Sequence, residues 1–395
     1  MANPEPEVIN NLVARVFRIE DITNEDPQKG MLVRYRGQFF TDDTAEAYDK
    51  LAEALKPYNL TPVFRKVKDQ SVIYIAPGRP IPRPARVSTN IILFILTVFS
   101  VMLTGATMAG IPEGQIPSDA GGQIIFFLKN ILMGWPFAAS LLGILLAHEF
   151  GHYLMSRHHK TPATLPYFIP FPFSPLGTMG AFISMQAIPR NKRILFDIGV
   201  AGPLAGMLVA IPVLLLGLSL STLGPIEPNP GGFLEGNSLL YLLAKFAVFG
   251  RVLPSPEQPQ GLLYWIQYFF TGRPIPFGGT DVFIHPVAFA GWAGLLVTAL
   301  NLLPAGTLDG GHVVYSVFGE SARKLFPYIL VTLAVLGIFW SGWWIWAALL
   351  LWLGRVHAEP LDQITTLDAP RRAVALLTLL LFVLVFSPVP FMPLI

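Results

Sequence analysis

The sequence predicts an all-α polytopic membrane protein of about seven transmembrane helices, behind a small N-terminal α/β cytoplasmic domain. Three observations carry this prediction. Of 395 residues, 53% are hydrophobic and 13% charged, whereas a soluble domain carries about 25% charged residues. Uncharged stretches long enough to cross a bilayer recur after residue 87, while the charge before it is dense. The basic residues also fall on one side of those stretches. This composition excludes a water-soluble enzyme, a disordered chain and a nucleic-acid binder, and a net charge of +2 asks for no acidic partner. The absence of cysteine excludes disulfides, thiolate metal sites and a cysteine nucleophile.

Residues 1–76 read as a soluble α+β domain. Residues 31–40 alternate as a strand, and 41–56 read as a helix capped by Thr41 or Asp42 and stopped before Pro57. Residues 61–67 and 71–75 read as a hairpin turned at Lys68-Asp69-Gln70. A βαββ layer is the simplest packing of these elements. The opening Met1-Ala2-Asn3-Pro4-Glu5-Pro6-Glu7 is acidic without an apolar run, so neither a secretory signal nor an Arg-rich transit peptide is expected. Residues 77–86 are rich in proline and read as a stiff, extended linker.

Beyond the linker, 87–112, 130–155, 194–220, 286–303 and 373–386 read as single spans. Residues 325–354 are uncharged for 30 residues, about 45 Å of helix. That is too long for one upright span, and Ser341-Gly342 at its middle predicts a tight hairpin. With the N-terminal domain in the cytoplasm, thirteen basic residues (Arg79, Arg83, Arg86, Arg157, Lys160, Arg190, Lys192, Arg193, Arg323, Lys324, Arg355, Arg371 and Arg372) lie inside. Only Lys129, Lys245, Arg251 and Arg273 lie outside. This asymmetry predicts seven spans, N-terminus in and C-terminus out. No internal repeat is visible, which argues against a transporter built from repeats.

The chemistry is concentrated at the end of the second span, in His148-Glu149-Phe150-Gly151-His152. Residues i and i+4 of a helix share a face, so both histidines can point at one metal ion. Glu149 beside them is placed to take a proton from a water at that metal. H-E-x-x-H alone arises by chance, but ionisable groups inside a spanning helix cost about 2.5–3.5 kcal/mol each and are functional by default. The bland reading is a helix end that has reached water. Arg157 lies nine residues after His148, about 13 Å along the axis, which puts the site inside the hydrocarbon near the cytoplasmic face. Zinc asks for a third protein ligand and an open position. Pro304 and Gly306 interrupt the fourth span at membrane depth, as is tolerated beside a cavity. Asp309 follows and can swing inward as the third ligand; otherwise it caps a helix over 310–318. Asn301 reads as a hydrogen-bond donor to a peptide carbonyl or, nearly equally, as an interhelical contact. His158 and His159 read as a solvated basic cluster, His285 as remote, and His312 as a surface or interface residue rather than a support of the site. The loop 221–285 reads as an outer loop whose apolar part, 262–270, lies along the membrane.

The pair H-E-F-G-H (148–152) and N-L-L-P-A-G-T-L-D-G (301–310) resembles the two signatures of the site-2 protease family of intramembrane zinc metalloproteases, H-E-x-x-H and N-x-x-P-x-x-x-L-D-G. The resemblance implies Zn2+ held by His148, His152 and Asp309, with Glu149 as catalytic base. It implies a protease core over 87–356, an additional transmembrane segment over 357–395, and transmembrane segments of other proteins as substrates within the lipid bilayer. It also implies a multi-pass location in a bacterial inner membrane or a plastid-type membrane, N-terminus cytoplasmic. The family's third span often opens A-G-P-x-x-N. Here Ala201-Gly202-Pro203-Leu204-Ala205-Gly206 lacks the Asn. Gly291-Trp292-Ala293-Gly294-Leu295 is similar to the same family, and the long front with no PDZ insert resembles the branch of chloroplasts and photosynthetic bacteria. Family members place a membrane-associated β-hairpin where this chain has 161–189, a stretch broken by proline that alternates in its second half. Gly177, Gly180, Ala181 and Ile183 are its candidates for holding an unwound substrate by strand addition. The alternative is a hydrophobic loop on the membrane surface.

Two rival functions fit less well. A metal or proton transporter needs a polar route, but 131–140 and 286–296 supply no ionisable residue. An inactive membrane scaffold would show a degenerate H-E-x-x-H, and this one is complete. No G-x-S-G serine motif is present, and Gly278-Gly279-Thr280-Asp281 misses the G-x-G-D of a paired-aspartate site.

Overall fold

The computed structural model describes residues 5–24, 30–78, 86–229, 232–353 and 359–394. The first four residues, the linker positions 79–85, Gly354, Arg355 and Ile395 lie outside the described residues.

The front of the chain runs α1 (Pro6–Ala14), β1 (Phe17–Asn24), β2 (Val33–Phe39), α2 (Thr44–Leu55), β3 (Leu60–Val67) and β4 (Gln70–Pro77). The strands form an antiparallel sheet in the order β1-β2-β4-β3. The expected βαββ is present and extended by α1 and β1. The register of β1 slips between Ile19 and Asp21, so its alternation breaks, which hid the strand from a period-two reading. The cap of α2 is Asp43, accepting from Ala45 N at 3.1 Å, in place of Thr41 or Asp42. Lys68 (φ 47) and Asp69 (φ 65) form the hairpin turn. Two left-handed residues match the twist of the strands they join. Ala47, Tyr48, Leu51 and Leu55 of α2 pack on Phe64, Ile73 and Ile75 to make the domain's core.

The remainder is α3 (Val87–Thr107), α4 (Ala120–Lys129), α5 (Trp135–His158), the hairpin β5 (Tyr167–Pro170) and β6 (Thr178–Phe182), and α6 (Lys192–Ser219). Then come β7 (Thr222–Pro225), β8 (Phe233–Glu235), α7 (Leu239–Phe249), α8 (Leu262–Thr271), β9 (Thr280–Phe283) and α9 (Pro286–Asn301). The chain ends with α10 (Asp309–Phe318), α11 (Phe326–Leu336), α12 (Gly342–Leu353), α13 (Ala369–Val385) and β10 (Phe391–Pro393). Among the described residues, three helical segments are long and apolar enough to cross a membrane: α3, Ile131–His158 and α6. Four more, including α9 and most of α12, are apolar but shorter. Residues 326–353 form two helices separated at 337–341, and Trp344 covers Gly337 where the chain folds back.

Helix α6 runs between α5 and α9, and small residues bring the backbones together. A Cβ on Gly151 would lie 2.4 Å from the Ala201 carbonyl, and one on Gly217 would lie 2.1 Å from Ala288 N. Close approach through glycine is how helices gain packing where lipid offers no hydrophobic drive.

The two ends of α6 meet different parts of the chain. At its start, Arg190 pairs with Asp49 and Arg193 with Asp43 of the front domain. The segment 361–363 lies between β3 and this end, bridging Phe64 to Asp362 and Asp362 to Asn191. Asp362 is fully buried, bonded to Thr44, Thr365 and Ile364 N. At the far end, β10 pairs with β8, and Trp343, in the first turn of α12, donates to Pro388 O at 2.6 Å.

Candidate metal centre

Helix α5 carries His148 and His152 one turn apart, both buried. Their Nε2 atoms lie 3.2 Å apart, and each is 3.3 Å from Oδ2 of Asp309. Asp309 arrives from the broken segment after α9. Gly306 takes φ +57 there, and Gly310 and Gly311 press on backbone carbonyls, where a Cβ would meet Leu302 O at 2.0 Å and Gly306 O at 2.4 Å. Only glycine folds that tightly. Asp309 is the first residue of α10 rather than its cap, and its carboxylate turns to the histidines.

The residues fit a zinc ion. His152 Nδ1 lies 2.7 Å from the Ile198 carbonyl, which can only accept, so Nδ1 carries the proton and Nε2 keeps a lone pair. Two ring lone pairs and a carboxylate oxygen facing one point repel unless a cation lies among them. Ligands about 2.0–2.2 Å from tetrahedral zinc stand about 3.3–3.6 Å from one another, close to the observed 3.2–3.3 Å edges. Glu149 is buried beside the cluster, its Oε2 without a hydrogen-bond partner. An orphaned buried carboxylate oxygen suits a group that exchanges protons with water or substrate.

Ile183 lies directly beside Glu149, its backbone N–H directed at the carboxylate. Ala181 is laddered to Phe168 across the hairpin. Gly180 (φ +96) is bonded through its N–H to Thr178 Oγ1 at 3.0 Å. Gly177 (φ +71) is buried against α3; its carbonyl accepts from Ser100 Oγ at 2.6 Å and Phe171 N, and its N–H donates to Ser174 O. Asn301 Nδ2 lies 3.2 Å from His148 Nε2. The structure thus gathers His148, Glu149, His152, Asn301, Asp309 and Ile183 at one place, and sets Gly177 against α3.

Several groups were missed or misplaced by the sequence reading. His159 is not a solvated residue: its Nε2 contacts Asp197 at 2.9 Å. His312 is buried in α10 with its Cβ against Gly199 of α6. His285 caps α9, accepting from Val287 N. Gly202 lies under the His152 ring and Gly206 beside His148. That is the local sense of the A-G-P-x-x-G run, whose signal was present but whose partner was not visible. Beyond the far end of α6, Asp281 pairs with the fully buried Lys245 at 3.1 Å, not with a second aspartate. Glu235 and Asp281 line a cavity of about 640 Å3 there.

Residues 136–339 match the family model of peptidase family M50. The chain belongs to that family. The match takes in His148, Glu149, His152, Asn301 and Asp309 and leaves out the front domain and α13. The chain is similar to the probable zinc metalloprotease EGY1, chloroplastic, of Oryza sativa subsp. japonica, 30% identical over 316 residues, 76% of this chain and 50% of that protein. It is 32% identical to EGY1 of Arabidopsis thaliana over 266 residues, 64% of this chain and 43% of that protein. To the probable zinc metalloprotease EGY2, chloroplastic, of Arabidopsis thaliana it is 25% identical over 397 residues, 98% of this chain and 65% of that protein. The chain thus spans about half the length of the EGY1 relatives it matches.

Proposed function

We propose that this chain is an intramembrane zinc endopeptidase that hydrolyses a peptide bond in or beside a transmembrane segment of another membrane protein. The observation that carries the reading is the meeting of His148 Nε2, His152 Nε2 and Asp309 Oδ2 beside the buried Glu149 carboxylate. Membership of peptidase family M50, and relatives named as probable zinc metalloproteases, support it. Zinc held by these three side chains would make a water acidic near neutral pH and polarise the scissile carbonyl. Glu149 takes the proton of the attacking water and delivers it to the leaving amide nitrogen. The Ile183 backbone N–H lies beside that carboxylate. Asn301 cannot keep its bond to His148 Nε2 once that lone pair is given to a metal. Its amide is then free to donate to a substrate carbonyl.

A transmembrane helix hides its carbonyls in its own hydrogen bonds, so the substrate must unwind before Glu149 can act. Strand β6 pairs with β5 alone among the described residues, so its other edge suits an extended segment. Gly180, Ala181 and Ile183 lie on or just past it, whereas Gly177 shapes the hairpin against α3.

In this reading the spans are seven, α3, α5, α6, α9 with its broken continuation, α11, α12 and α13, with residues 1–76 in the cytoplasm or stroma. The basic asymmetry supports it, as do the front domain at the start of α6 and β10 beyond its far end. The chloroplastic relatives favour a plastid-type membrane. The test is cleavage of a purified transmembrane substrate in detergent or vesicles, with and without a zinc chelator, by the wild type and Asp309→Ala. Cleavage by the wild type, abolished by chelator and by Asp309→Ala, is expected. Chelator-resistant cleavage would overturn the reading.

A further inference from the structure

The support of the metal cluster leads outward to the C-terminal helix. His152 presents Nε2 to the cluster because its Nδ1 is tied to the Ile198 carbonyl at 2.7 Å, and its ring lies against Gly202. Both contacts are backbone features of α6. The ring is therefore oriented only while the first turns of α6 keep their register on α5.

Asp197, the residue before Ile198, is 15% exposed, and its carboxylate is held from two other helices. His159, directly after α5, places Nε2 2.9 Å from Oδ2. Arg371, in the first turn of α13, donates Nε to Oδ1 at 2.8 Å and Nη2 to Oδ2 at 2.7 Å. Arg371 also pairs with Asp368, which caps that helix. One carboxylate thus joins the end of α5, the start of α6 and the start of α13. A planar, two-pronged guanidinium–carboxylate pair fixes angle as well as distance, which a lysine would not do.

We propose that Arg371, acting through Asp197, is a positioning residue for the metal centre. The Arg371–Asp197–His159 clasp sets the register of α6 on α5 and, through the Ile198 carbonyl and Gly202, the orientation of His152. Arg371 touches neither metal ligand nor Glu149, and it lies outside the residues matched to the family model. The inference rests on the reading of His148, His152 and Asp309 as a zinc site.

The test is the zinc affinity of the purified full chain in detergent, by competition with a chelator and without substrate. Loss of a group that orients a metal ligand costs about 10- to 100-fold in affinity. Arg371→Ala and Asp197→Asn should each weaken zinc about tenfold, the low end of that range because they act through backbone. The double variant should be no weaker than either single one, because they act as one unit. Arg193→Ala removes the pair to Asp43 and the bond to the Thr366 carbonyl, one turn before Asp197 in α6, and should leave zinc affinity unchanged. A purely structural role predicts that zinc affinity falls only in step with Tm in either variant, so Tm is measured beside it. Should Arg371→Ala not purify as a folded protein, Arg371→Gln, which is shorter and uncharged but still polar, is measured in its place. Zinc affinity unchanged by the Arg371 substitution, or lowered as much by Arg193→Ala, overturns the inference while leaving the zinc reading intact. A wild type that binds no zinc overturns both.

Discussion

Gly202→Ala is the smallest change that should disable the metal centre without altering a ligand. A Cβ at this position would lie 2.0 Å from His152 Nε2, 2.4 Å from Cδ2 and 2.5 Å from Cε1. Against an ordinary contact of 3.4 Å, the ring must retreat by about 1.4 Å, or α6 must move by the same amount. Neither is free: the ring is tied to Ile198 on one side and faces His148 and Asp309 on the other, and α6 is packed through Gly151 and Gly217. Metal ligands tolerate displacements of about 0.2 Å, and misplacing a reacting group by about 1 Å costs about 100-fold. Zinc affinity should therefore fall about 100-fold or more, with overpacking taking about 1–3 kcal/mol from stability. Gly206→Ala is the matched control. Its Cβ would stand 3.2 Å from His148 Cβ and Nδ1, a shortfall of about 0.2 Å that a small shift absorbs. It should change zinc affinity by no more than about threefold. Chelator competition on both purified variants, with folding checked by circular dichroism, gives the answer. Wild-type zinc affinity in Gly202→Ala, or equal losses in the two, would refute the reasoning.

Three further outcomes are expected. Burial, reinforced by Asp281, pushes Glu235 up from 4.5 to about 7, against the pull of Lys245 and the Tyr241 hydroxyl. The folded protein keeps that proton over a pH range in which the unfolded chain has released it, so the group's contribution to stability falls as pH rises from 4.5 to 7. Glu235→Gln should then match the wild type in Tm near pH 4.5 and exceed it increasingly towards pH 8; a gap that does not grow with pH would contradict this. Asp362→Ala removes the acceptor of the Ile364 and Thr365 N–H groups and leaves the buried Thr44 and Thr365 hydroxyls only each other; it should cost about 2–3 kcal/mol, read as a lower Tm with zinc affinity unchanged. Single cysteines at Lys50 and Ile395, introduced into a chain with none of its own, should be labelled by an impermeant reagent from opposite faces of sealed vesicles. Labelling from the same face would exclude seven spans.

What could be read from the sequence was local or periodic. His148 and His152 are one turn apart, so their shared face follows from helix geometry alone. The Pro304–Gly306 interruption announced a broken helix, and Asp309 stands just beyond it. The hairpin of β3 and β4 and the end of α2 before Pro57 were legible because turn and stop residues act over a few positions, whereas the cap of α2 is Asp43 and not Thr41 or Asp42. Strand β1 was lost to its bulge, and α4 and α7 are too short for a spanning-length criterion. The partners of the site were hidden for a different reason. Asp197 and Arg371 are 174 residues apart, and no period links them. Gly202 is visible as a glycine, but what it makes room for is a ring on another helix. His159 looked solvated among Arg157, His158 and Lys160, because nothing in that run shows that Asp197 packs beside it.

Glu149→Gln separates the two roles proposed for the site, three side chains that hold zinc and a fourth that moves protons. Glutamine keeps the size and can still accept from the Ile183 N–H, but it cannot take a proton from water. The purified variant should retain zinc at the wild-type level and lose cleavage of a transmembrane substrate by about 100-fold or more, the scale of removing a general base. Zinc content and cleavage are measured on the same preparation. A Glu149→Gln protein that still cuts at the wild-type rate, or a wild type that holds no zinc, would contradict the account.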